Sequence, residues 1–287
     1  LHLCDRRQRQ MCIRDRYKEA SQVSADRRRK VENKIDVSVI MPAYNAAAYI
    51  AEAVDSVFLQ QVNWELIIID DCSTDDTKSV LEEYLQDPRV IYWKNDTNLG
   101  VAASRNLGIQ KAEGAYIAFL DADDRWTAGK LESQLRLMQE KNAVLCSTAR
   151  ALMDQKGKLT GKIIPVKEKI TYKSLLYSNC ISMSSAVIKR EIAMEFPMEQ
   201  DYLHEDYILW LMVLKKYGVA YGINEPMLEY RISQGSKSGN KFKSAKMTFG
   251  VYRHIGLNIF QSIYYFISYT IHGILTVSYT HLTLPTI

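Results

Sequence analysis

Cysteine is scarce in this chain of 287 residues, and the few cysteines present do not form a set. Two of the five lie within residues 1–16, and the other three, Cys72, Cys146 and Cys180, are odd in number and lack metal-ligand spacing. A disulfide-stapled scaffold and a zinc module are therefore excluded, and reduced thiols in a cytoplasmic protein are expected. Internal repeats, low-complexity tracts and a signal peptide before the first strand are also lacking, so we expect an ordinary packed core.

Both ends of the chain resemble a translated sequencing adapter. Met11 to Asp15 can be encoded by ATGTGTATAAGAGAC, and the reverse complement of that DNA encodes Val277 to His281. Residues 1–16 and 277–287 are therefore set aside as adapter scars. The net charge of +4 contains +3 from residues 1–16 and +3 from residues 17–34, so residues 35–287 carry −2. This charge balance does not predict a nucleic-acid partner.

The remaining length suits one α/β domain with an appendage at its C-terminal end. Residues 17–34 are polar and charged, so residues 1–34 are predicted to be scar and disordered lead-in. Residues 35–240 are predicted to form the α/β domain, residues 241–276 a helical segment, and residues 277–287 a scar. The Gly-, Ser- and Lys-rich stretch from Ser233 to Ser244 predicts a loop that closes over a diphosphate, with Arg231 and Lys237 as candidate cations.

Apolar strands alternate with helical patterns through the first part of the domain. The predicted strands are Ile35 to Met41, Trp64 to Ile69, Arg89 to Trp93 and Tyr116 to Leu120. Because each strand is continuously apolar and a helical pattern follows, they predict a mainly parallel sheet with helices on both faces. Beyond them, residues 153–170 are predicted to be a loop or hairpin.

Acidic residues follow two of these strands. Asp70 and Asp71 end the second, and Asp121, Asp123 and Asp124 follow the fourth. Because ligands of such sheets bind outside the carboxyl ends of the strands, these turns predict one site. Asp121 and Asp123 face the same side of an extended backbone, and a carboxylate pair of this kind suits Mg²⁺ or Mn²⁺ bound with phosphate oxygens. The alternative is an acidic turn that begins a helix.

Taken together, the motifs between Val37 and Tyr252 resemble family 2 glycosyltransferases, which are inverting, nucleotide-sugar-dependent enzymes of the Rossmann-like GT-A fold. The matching pieces are Val37 to Asn45, Asp70 to Asp75, Asn98 to Asn106, the D-x-D motif Asp121 to Asp124, and Glu205-Asp206. Each piece is weak alone, and together they are specific. Asn179 to Ile188 resembles the strand that floors the donor-sugar pocket of this family.

The resemblance implies roles for particular residues. It places Pro42, Tyr44 and Asp71 around the base and ribose, with the Asp71 carboxylate accepting from the uracil N–H. Asp123 becomes the metal ligand, with Asp121 on the ribose or on the metal through water, and Asp206 beside Glu205 becomes the general base. Further donor-binding candidates are Ala43, Asn45, Asp70, Arg105, Ala122 and Arg231.

Several of these assignments have structural alternatives. Asp70 also suits a strand-end turn, and Tyr44 also suits a packing aromatic. Arg105 either reaches the diphosphate or donates to the acidic cluster. His204, Glu205 and Asp206 also suit the start of a helix, where carboxylates are stabilised by the helix dipole.

The implied activity is metal-dependent transfer of a hexosyl or N-acetylhexosaminyl group, with inversion, from a nucleotide-diphosphate sugar, most simply a UDP-sugar. The acceptor would be a hydroxyl of a glycan or lipid-linked saccharide in surface polysaccharide synthesis. A receiver-like regulatory module that binds Mg²⁺ is the rival, but it would be about half this length and would not use Glu205-Asp206. A nucleotidyltransferase would need a Gly-rich, basic phosphate loop where Pro42 to Asn45 stands.

The stretch from Ile255 to Thr276 is rich in Ile, Phe and Tyr and has the length of a membrane span. Its Asn, Gln, Ser and Thr residues favour instead a helix that lies in the membrane interface. Packing on its own domain and spanning remain as alternatives. The interfacial reading predicts a protein peripheral on the cytoplasmic face of the cell membrane, with the inner leaflet as a partner.

Overall fold

The computed structural model describes residues 35–199, 203–232 and 241–282. The chain divides into two units, Leu1–Ile35 and Asp36–Ile287. The predicted lead-in of residues 1–34 lies outside the described residues, so the fold below is that of the second unit. Lys237 and most of the predicted diphosphate loop also fall outside the described residues, within the gap at 233–240.

The strands are β1 (Val37–Ala43), β2 (Trp64–Asp70), β3 (Val90–Lys94), β4 (Tyr116–Phe119), β5 (Arg125–Trp126), β6 (Leu145–Met153), β7 (Leu159–Ile164), β8 (Lys169–Thr171), β9 (Val187–Lys189) and β10 (Val219–Arg231). The helices are α1 (Ile50–Phe58), α2 (Thr77–Leu81), α3 (Val101–Lys111), α4 (Lys130–Glu140), α5 (Tyr172–Tyr177), α6 (Arg190–Glu195), α7 (Glu205–Tyr217), α8 (Lys241–His254) and α9 (Ile259–Leu282). Short 3₁₀ turns occur at Tyr84–Gln86 and Met183–Ser185.

The described strands form one mixed sheet in the order β3-β2-β1-β4-β9-β6-β10-β5, with β7 paired to β6 and β8 paired to β10. The first four strands in this order run parallel, as β1 pairs in parallel with β2 and β4, and β2 with β3. β9 then joins β4 to β6 through antiparallel pairs. This architecture confirms the predicted α/β class.

Alternating side chains of the central strands build two cores, one on each face. Val39 and Met41 of β1 pack on one face with α1 and α4, whereas Ile40 packs on the other with α3, α5 and α7. Because both faces are covered, every residue of β2 is buried. Burial on both faces of the sheet therefore explains why the predicted strands are continuously apolar.

Helix α3 lies unusually close to β1. A Cβ atom added at Gly108 would lie 2.5 Å from Cγ2 of Ile40, so a larger residue would push the helix outward. The glycine therefore allows the backbone to approach the strand. This contact fixes the helix that carries Arg105.

The segment Asn179 to Ile188 corrects one prediction. It was expected to be a strand, but only its last two residues belong to one, β9, and Met183–Ser185 is a 3₁₀ turn. The Ser185 hydroxyl donates to the carbonyl of Ser182 at 2.7 Å, so local hydrogen bonds replace strand pairing. The prediction for residues 153–170 is confirmed, because β6 and β7 form an antiparallel hairpin.

The C-terminal helices pack on the domain through tyrosines. The Tyr252 hydroxyl of α8 donates to the carbonyl of Leu176 in α5 at 2.7 Å and lies 3.3 Å from the hydroxyl of Tyr207 in α7. Tyr265 and Tyr269 of α9 pack against the same core. Over the described part of the chain, no helix combines the length and the hydropathy that a membrane crossing requires.

Candidate active site

A pocket of about 790 Å³ opens at the carboxyl ends of β1, β2 and β4 and is closed on one side by the start of α7. Most of the predicted site residues line it, namely Pro42, Ala43, Tyr44, Asn45, Asp71, Arg105, Asp121, Ala122, Asp123, Glu205 and Asp206. Asp70 and Arg231 are the two predicted site residues that do not. The fold thus brings the strand-end acids and the acids of α7 into one cavity.

The strand-end acids Asp121 and Asp123 share a wall of the pocket. The Asp121 amide donates to the Ser184 hydroxyl at 3.1 Å, which holds the turn against the 3₁₀ segment. Burial and the negative charge of Asp121 raise the pKa of Asp123 to about 6. Such a shift indicates two carboxylates in mutual repulsion, which a cation at this position would relieve.

Arg105 joins this strand-end pair to the acids of α7. One terminal nitrogen of its guanidinium lies 2.6 Å from Oδ1 of Asp121, and the other lies 3.0 Å from Oε1 of Glu205. The Arg105 side chain is only 4% exposed. Of the two sequence-based alternatives for Arg105, the structure therefore shows the bond to the acidic cluster, in which one buried cation joins two carboxylates.

Glu205 and Asp206 differ in what they contact. Glu205 is buried and ion-paired with Arg105, whereas the hydrogen bond found for the Asp206 carboxylate uses Oδ1, which accepts from the amide of Tyr207 at 2.8 Å. Burial, followed by the charge of Glu205, raises the pKa of Asp206. His204 and not Asp206 is the N-cap of α7, and its side chain makes no capping bond. Asp206 therefore combines a raised basicity with a position in the pocket wall.

Asp71 holds the loop that precedes α3. Its Oδ1 accepts from the side chain of Asn95 at 2.8 Å and from the amide of Leu99 at 2.9 Å, and its Oδ2 accepts from the amide of Gly100 at 2.8 Å. Tyr44, opposite, is 53% exposed and is therefore not a packed core aromatic. Asp71 thus organises one pocket wall and, because a carboxylate has about four acceptor sites, retains room for a further donor.

Asp70 has the structural role that the sequence offered as its alternative. The residue is fully buried, and its carboxylate accepts from the amide of Ser73 at 2.7 Å and from the hydroxyl of Tyr92. It faces away from the pocket because side chains alternate along β2, so Asp70 and Asp71 have opposite surroundings. A direct contact of Asp70 with the donor is therefore not supported.

Arg231 also departs from its predicted place as a diphosphate-binding cation. Its guanidinium is buried behind the strand-end turn, where it donates to the carbonyl of Asp123 at 2.7 Å and pairs with Glu52 at 2.8 Å. The Arg231 amide donates to the Asp124 carboxylate at 2.9 Å. Because these partners occupy the side chain, Arg231 positions the acidic turn and does not reach into the cavity.

Asp121 and Asp123 have the chemistry of ligands for a hard divalent cation. In the described ranges, no group of three or more His, Cys, Asp or Glu side chains has the arrangement of a metal cage. Mg²⁺ and Mn²⁺ bound to a nucleotide need fewer protein ligands, because phosphate oxygens and water complete the octahedron. Burial and then the charge of Asp121 raise the pKa of Asp123, and a bound cation would offset both effects. Asp123, with Asp121 behind it, therefore fits such a shared ion.

The sequence reasoning missed several lining residues, of which Val101, Ser104, Tyr49 and Met183 are examples. Val101 and Ser104 precede Arg105 by four residues and one residue on α3. Residues three and four apart share a helix face, so the spacing of Val101 to Ser104 and Arg105 was a usable signal. Met183 carried no such signal, because its position depends on an irregular turn.

An acidic pocket at the carboxyl edge of a parallel sheet is typical of enzymes that bind phosphorylated ligands. Residues 38–195 match the family described as Glycosyl transferase family 2. The chain is 41% identical over 236 residues to TuaG of Bacillus subtilis, a glycosyltransferase assigned to teichuronic acid biosynthesis, and the match covers 81% of this chain and 94% of TuaG. The chain therefore belongs to glycosyl transferase family 2 and is a glycosyltransferase.

A second relative and a solved structure agree with this assignment. The chain is 36% identical over 242 residues to WfgD of Escherichia coli, a UDP-Glc:alpha-D-GlcNAc-diphosphoundecaprenol beta-1,3-glucosyltransferase, with 83% of this chain and 93% of WfgD covered. The crystal structure of S. aureus TarS 1–349 in complex with UDP-GlcNAc aligns with a TM-score of 0.66 at 19% identity, over 82% of this chain and 72% of that one. The predicted GT-A fold is thereby confirmed.

Proposed function

We propose that this glycosyltransferase moves a hexosyl or N-acetylhexosaminyl group from a UDP-sugar to a hydroxyl of a lipid-linked saccharide, with inversion, during surface polysaccharide synthesis. The observation that carries the proposal is the single pocket lined by Asp71, by the pair Asp121 and Asp123, and by Asp206. Asp71 provides a hydrogen-bond acceptor for the nucleobase. Asp121 and Asp123 provide ligands for a cation that would bind the diphosphate, and Asp206 provides the carboxylate that accepts the proton. The receiver-like alternative leaves the acids of α7 without a role.

The donor half of the pocket supports a UDP-sugar. The Asp71 carboxylate can accept from the imide N–H of uracil, and the exposed ring of Tyr44 offers an apolar surface to the base. WfgD is named for UDP-Glc, and TarS was crystallised with UDP-GlcNAc. These are properties of those proteins, and they set the order in which donors are tried here.

The proton transfer is assigned to Asp206. An inverting transfer needs one carboxylate that accepts the proton of the attacking hydroxyl as the oxygen bonds to the anomeric carbon and the diphosphate leaves. Asp206 suits this role better than Glu205, because Glu205 is held by Arg105. The raised pKa of Asp206 makes its carboxylate a stronger base.

Besides the proton acceptor, the proposed reaction needs a group that stabilises the negative charge of the departing diphosphate. Mg²⁺ or Mn²⁺ held by Asp123, with Asp121 directly or through water, would supply neutralisation of that charge. Arg105 pairs with the Asp121 carboxylate, and Arg231 holds the Asp123 backbone from behind. The two arginines thus fix the acids in place and do not themselves take the diphosphate.

The proposal is tested by assaying several sugar-nucleotide donors with one lipid-linked acceptor. UDP-Glc, UDP-Gal, UDP-GlcNAc, UDP-GalNAc and the GDP-sugar GDP-Man are each incubated with GlcNAc-diphospholipid, with and without Mn²⁺, and the products are identified by mass spectrometry and NMR. We expect transfer from one UDP-sugar, loss of activity in chelator, and a β-linked product from an α-linked donor. Transfer from the GDP-sugar alone, a retained anomeric configuration, or full activity in chelator would contradict the corresponding part of the proposal.

The proposed acceptor also implies a membrane surface. Phe260, Ile263, Ile267 and Ile271 form one outward row on α9, and Phe260 is 81% exposed. The chain contains no Asp or Glu after Glu229, whereas α8 carries Lys243, Lys246 and Arg253. An apolar row on α9 beside the basic helix α8, neither of which contains Asp or Glu, suits an anionic inner leaflet.

Vesicle sedimentation tests this surface. Wild-type protein is expected to sediment with vesicles of phosphatidylglycerol and phosphatidylethanolamine and much less with phosphatidylcholine alone. The double variant Phe260→Gln, Ile267→Gln should stay in the supernatant, whereas Leu159→Gln on the exposed hairpin should sediment like the wild type. Unchanged sedimentation of the double variant would remove α9 from the interface.

A further inference from the structure

Arg150 of β6 is a cation beside the pocket that the mechanism above does not use. In the sheet it lies opposite Leu228 of β10 and opposite Ile164 of β7. Its guanidinium carbon lies 5.7 Å from the centroid of the Tyr230 ring, and Tyr230 lines the pocket. Arg150 therefore sits directly behind a wall of the active site and keeps part of its surface exposed.

The surroundings of Arg150 differ from those of the other arginines near the site. Arg105 pairs with two carboxylates, and Arg125 and Arg231 both pair with Glu52. For Arg150, by contrast, the described parts of the chain provide a ring contact but neither an ion pair nor a hydrogen bond to its side chain. Removing a cation from water without a partner costs free energy, so an anion bound to the Arg150 guanidinium would offset that cost.

The electrostatic surroundings point the same way. Burial lowers the pKa of Arg150, and Tyr230, followed by Asp124, Cys180 and Asp206, offsets this only in part. Burial raises the pKa of the Cys180 thiol, and the charges of Lys167 and Arg150 offset this only in part. Lys167, an exposed cation on the segment that links β7 to β8, thus lies in the same neighbourhood.

We propose that Arg150 binds a phosphate of the lipid-linked acceptor while a hydroxyl of the acceptor sugar meets Asp206. This inference rests on the proposed function and adds the group that recognises the acceptor. The donor diphosphate is assigned to the Asp121 and Asp123 wall, so a phosphate bound by Arg150 beside the pocket residue Tyr230 is that of the acceptor. Guanidinium is suited to phosphate because its planar N–H groups donate two parallel hydrogen bonds.

The experiment compares two acceptors that differ only in phosphate. One is GlcNAc-diphospholipid with a short prenyl chain, and the other is the same sugar as a neutral alkyl glycoside. Both are tested with wild type, Arg150→Gln, Arg150→Lys and Lys162→Gln, the last being an exposed cation on the neighbouring strand β7. UDP affinity is measured in parallel by calorimetry.

Arg150→Gln should raise KM for the diphospholipid about 10- to 100-fold, as expected for lost charge-assisted hydrogen bonds. KM for the neutral glycoside and the Kd of UDP should not change. Arg150→Lys should recover part of the loss, and Lys162→Gln should behave as wild type. An equal loss on both acceptors would assign Arg150 a structural role, and a weakened Kd of UDP would assign it to the donor diphosphate. Either result would overturn the inference.

Wild-type protein offers an independent measurement should the Gln variant fail to fold. Geranyl diphosphate, which carries the diphosphate without the sugar, should inhibit competitively against the diphospholipid acceptor and noncompetitively against the donor. Competition with the donor, or no inhibition, would contradict a phosphate site on the acceptor side. Failure of the proposed function would be seen differently, as absence of transfer to both acceptors.

Discussion

The two acidic pairs of the pocket come from distant parts of the chain and yet have the same arrangement. At the end of β4, Asp121 is bound by Arg105 and Asp123 is not. At the start of α7, Glu205 is bound by the same arginine and Asp206 is not. The pKa values of Asp123 and Asp206 are both raised, with burial as the main cause and the neighbouring carboxylate as the second.

This comparison suggests a division of labour within each pair. The carboxylate bound by Arg105 is fixed in place, and its negative charge raises the pKa of its neighbour, which makes that neighbour a better base. One buried arginine thereby links the acids proposed to bind the metal to the acids proposed to accept the proton. The comparison predicts that substitutions of Asp123 and Asp206 affect chemistry, whereas those of their partners affect stability.

The largest effect is expected for Asp123→Asn. The side chain would keep its shape but lose the charge that holds the cation, so several kcal/mol of transition-state stabilisation should disappear, about 10³- to 10⁴-fold in turnover. Calorimetry of UDP with and without Mn²⁺ should show that the metal no longer strengthens binding. Asp121→Asn is the paired variant and should lose more stability and less metal-dependent affinity. Equal metal dependence in wild type and Asp123→Asn would contradict the assignment.

Asp206→Asn should have the next largest effect. Asn cannot take a proton, so turnover with the true acceptor should fall about 10²- to 10⁴-fold while the Kd of UDP is unchanged. In the wild type, the acid limb of the kcat/KM profile should lie above the ordinary carboxyl pKa of 3.8, because the pKa of Asp206 is raised. Wild-type turnover in Asp206→Asn would place the base elsewhere.

Glu205→Gln tests the stability that the comparison assigns to the carboxylates bound by Arg105. Arg105 is nearly inaccessible and would lose one of its two carboxylate partners, which should cost about 1–3 kcal/mol in the free energy of unfolding. Turnover should fall less than in Asp206→Asn. Urea unfolding of the two variants side by side measures the difference, and a Glu205→Gln variant as stable as the wild type would show that Arg105 does not need this partner.

Local sequence patterns were sufficient for the donor side of the site. The strand ends at Asp71 and at Asp121 to Asp123 follow from apolar runs and from the rule that ligands bind at carboxyl ends of parallel strands. The structure places these residues in one pocket. Their chemical roles stay predictions until the variants are measured.

Pairings between distant residues could not be predicted in the same way. Arg105 and Glu205 are 100 positions apart, and Arg231 meets Glu52 across 179 positions. No local period encodes such contacts, so Arg231 was assigned to the diphosphate although its partners bury it. The lack of a carboxylate partner for Arg150 among the described residues could not be predicted either, because it depends on side chains that are distant in the sequence.

The smallest and most diagnostic effect concerns the stability of Asp206→Asn. A raised pKa in the folded state means that folding disfavours the ionised form, so the penalty is complete above the folded pKa and vanishes below the unfolded value, near 3.8. Asn carries no charge and can still accept from the amide of Tyr207. At pH 7 the variant should therefore equal or exceed the wild type in its free energy of unfolding, opposite in sign to Glu205→Gln.

This advantage of Asp206→Asn should shrink as the pH falls through the folded pKa toward 3.8, since the wild-type carboxyl then becomes neutral as well. Urea unfolding at several pH values between 4 and 7 measures the trend. Glu205→Gln should show no such gain near neutral pH, because its wild-type carboxylate is stabilised by Arg105. A destabilised Asp206→Asn at pH 7 would mean that the ionised carboxylate supports the start of α7, and the two acids of this pair would then not differ as the comparison requires.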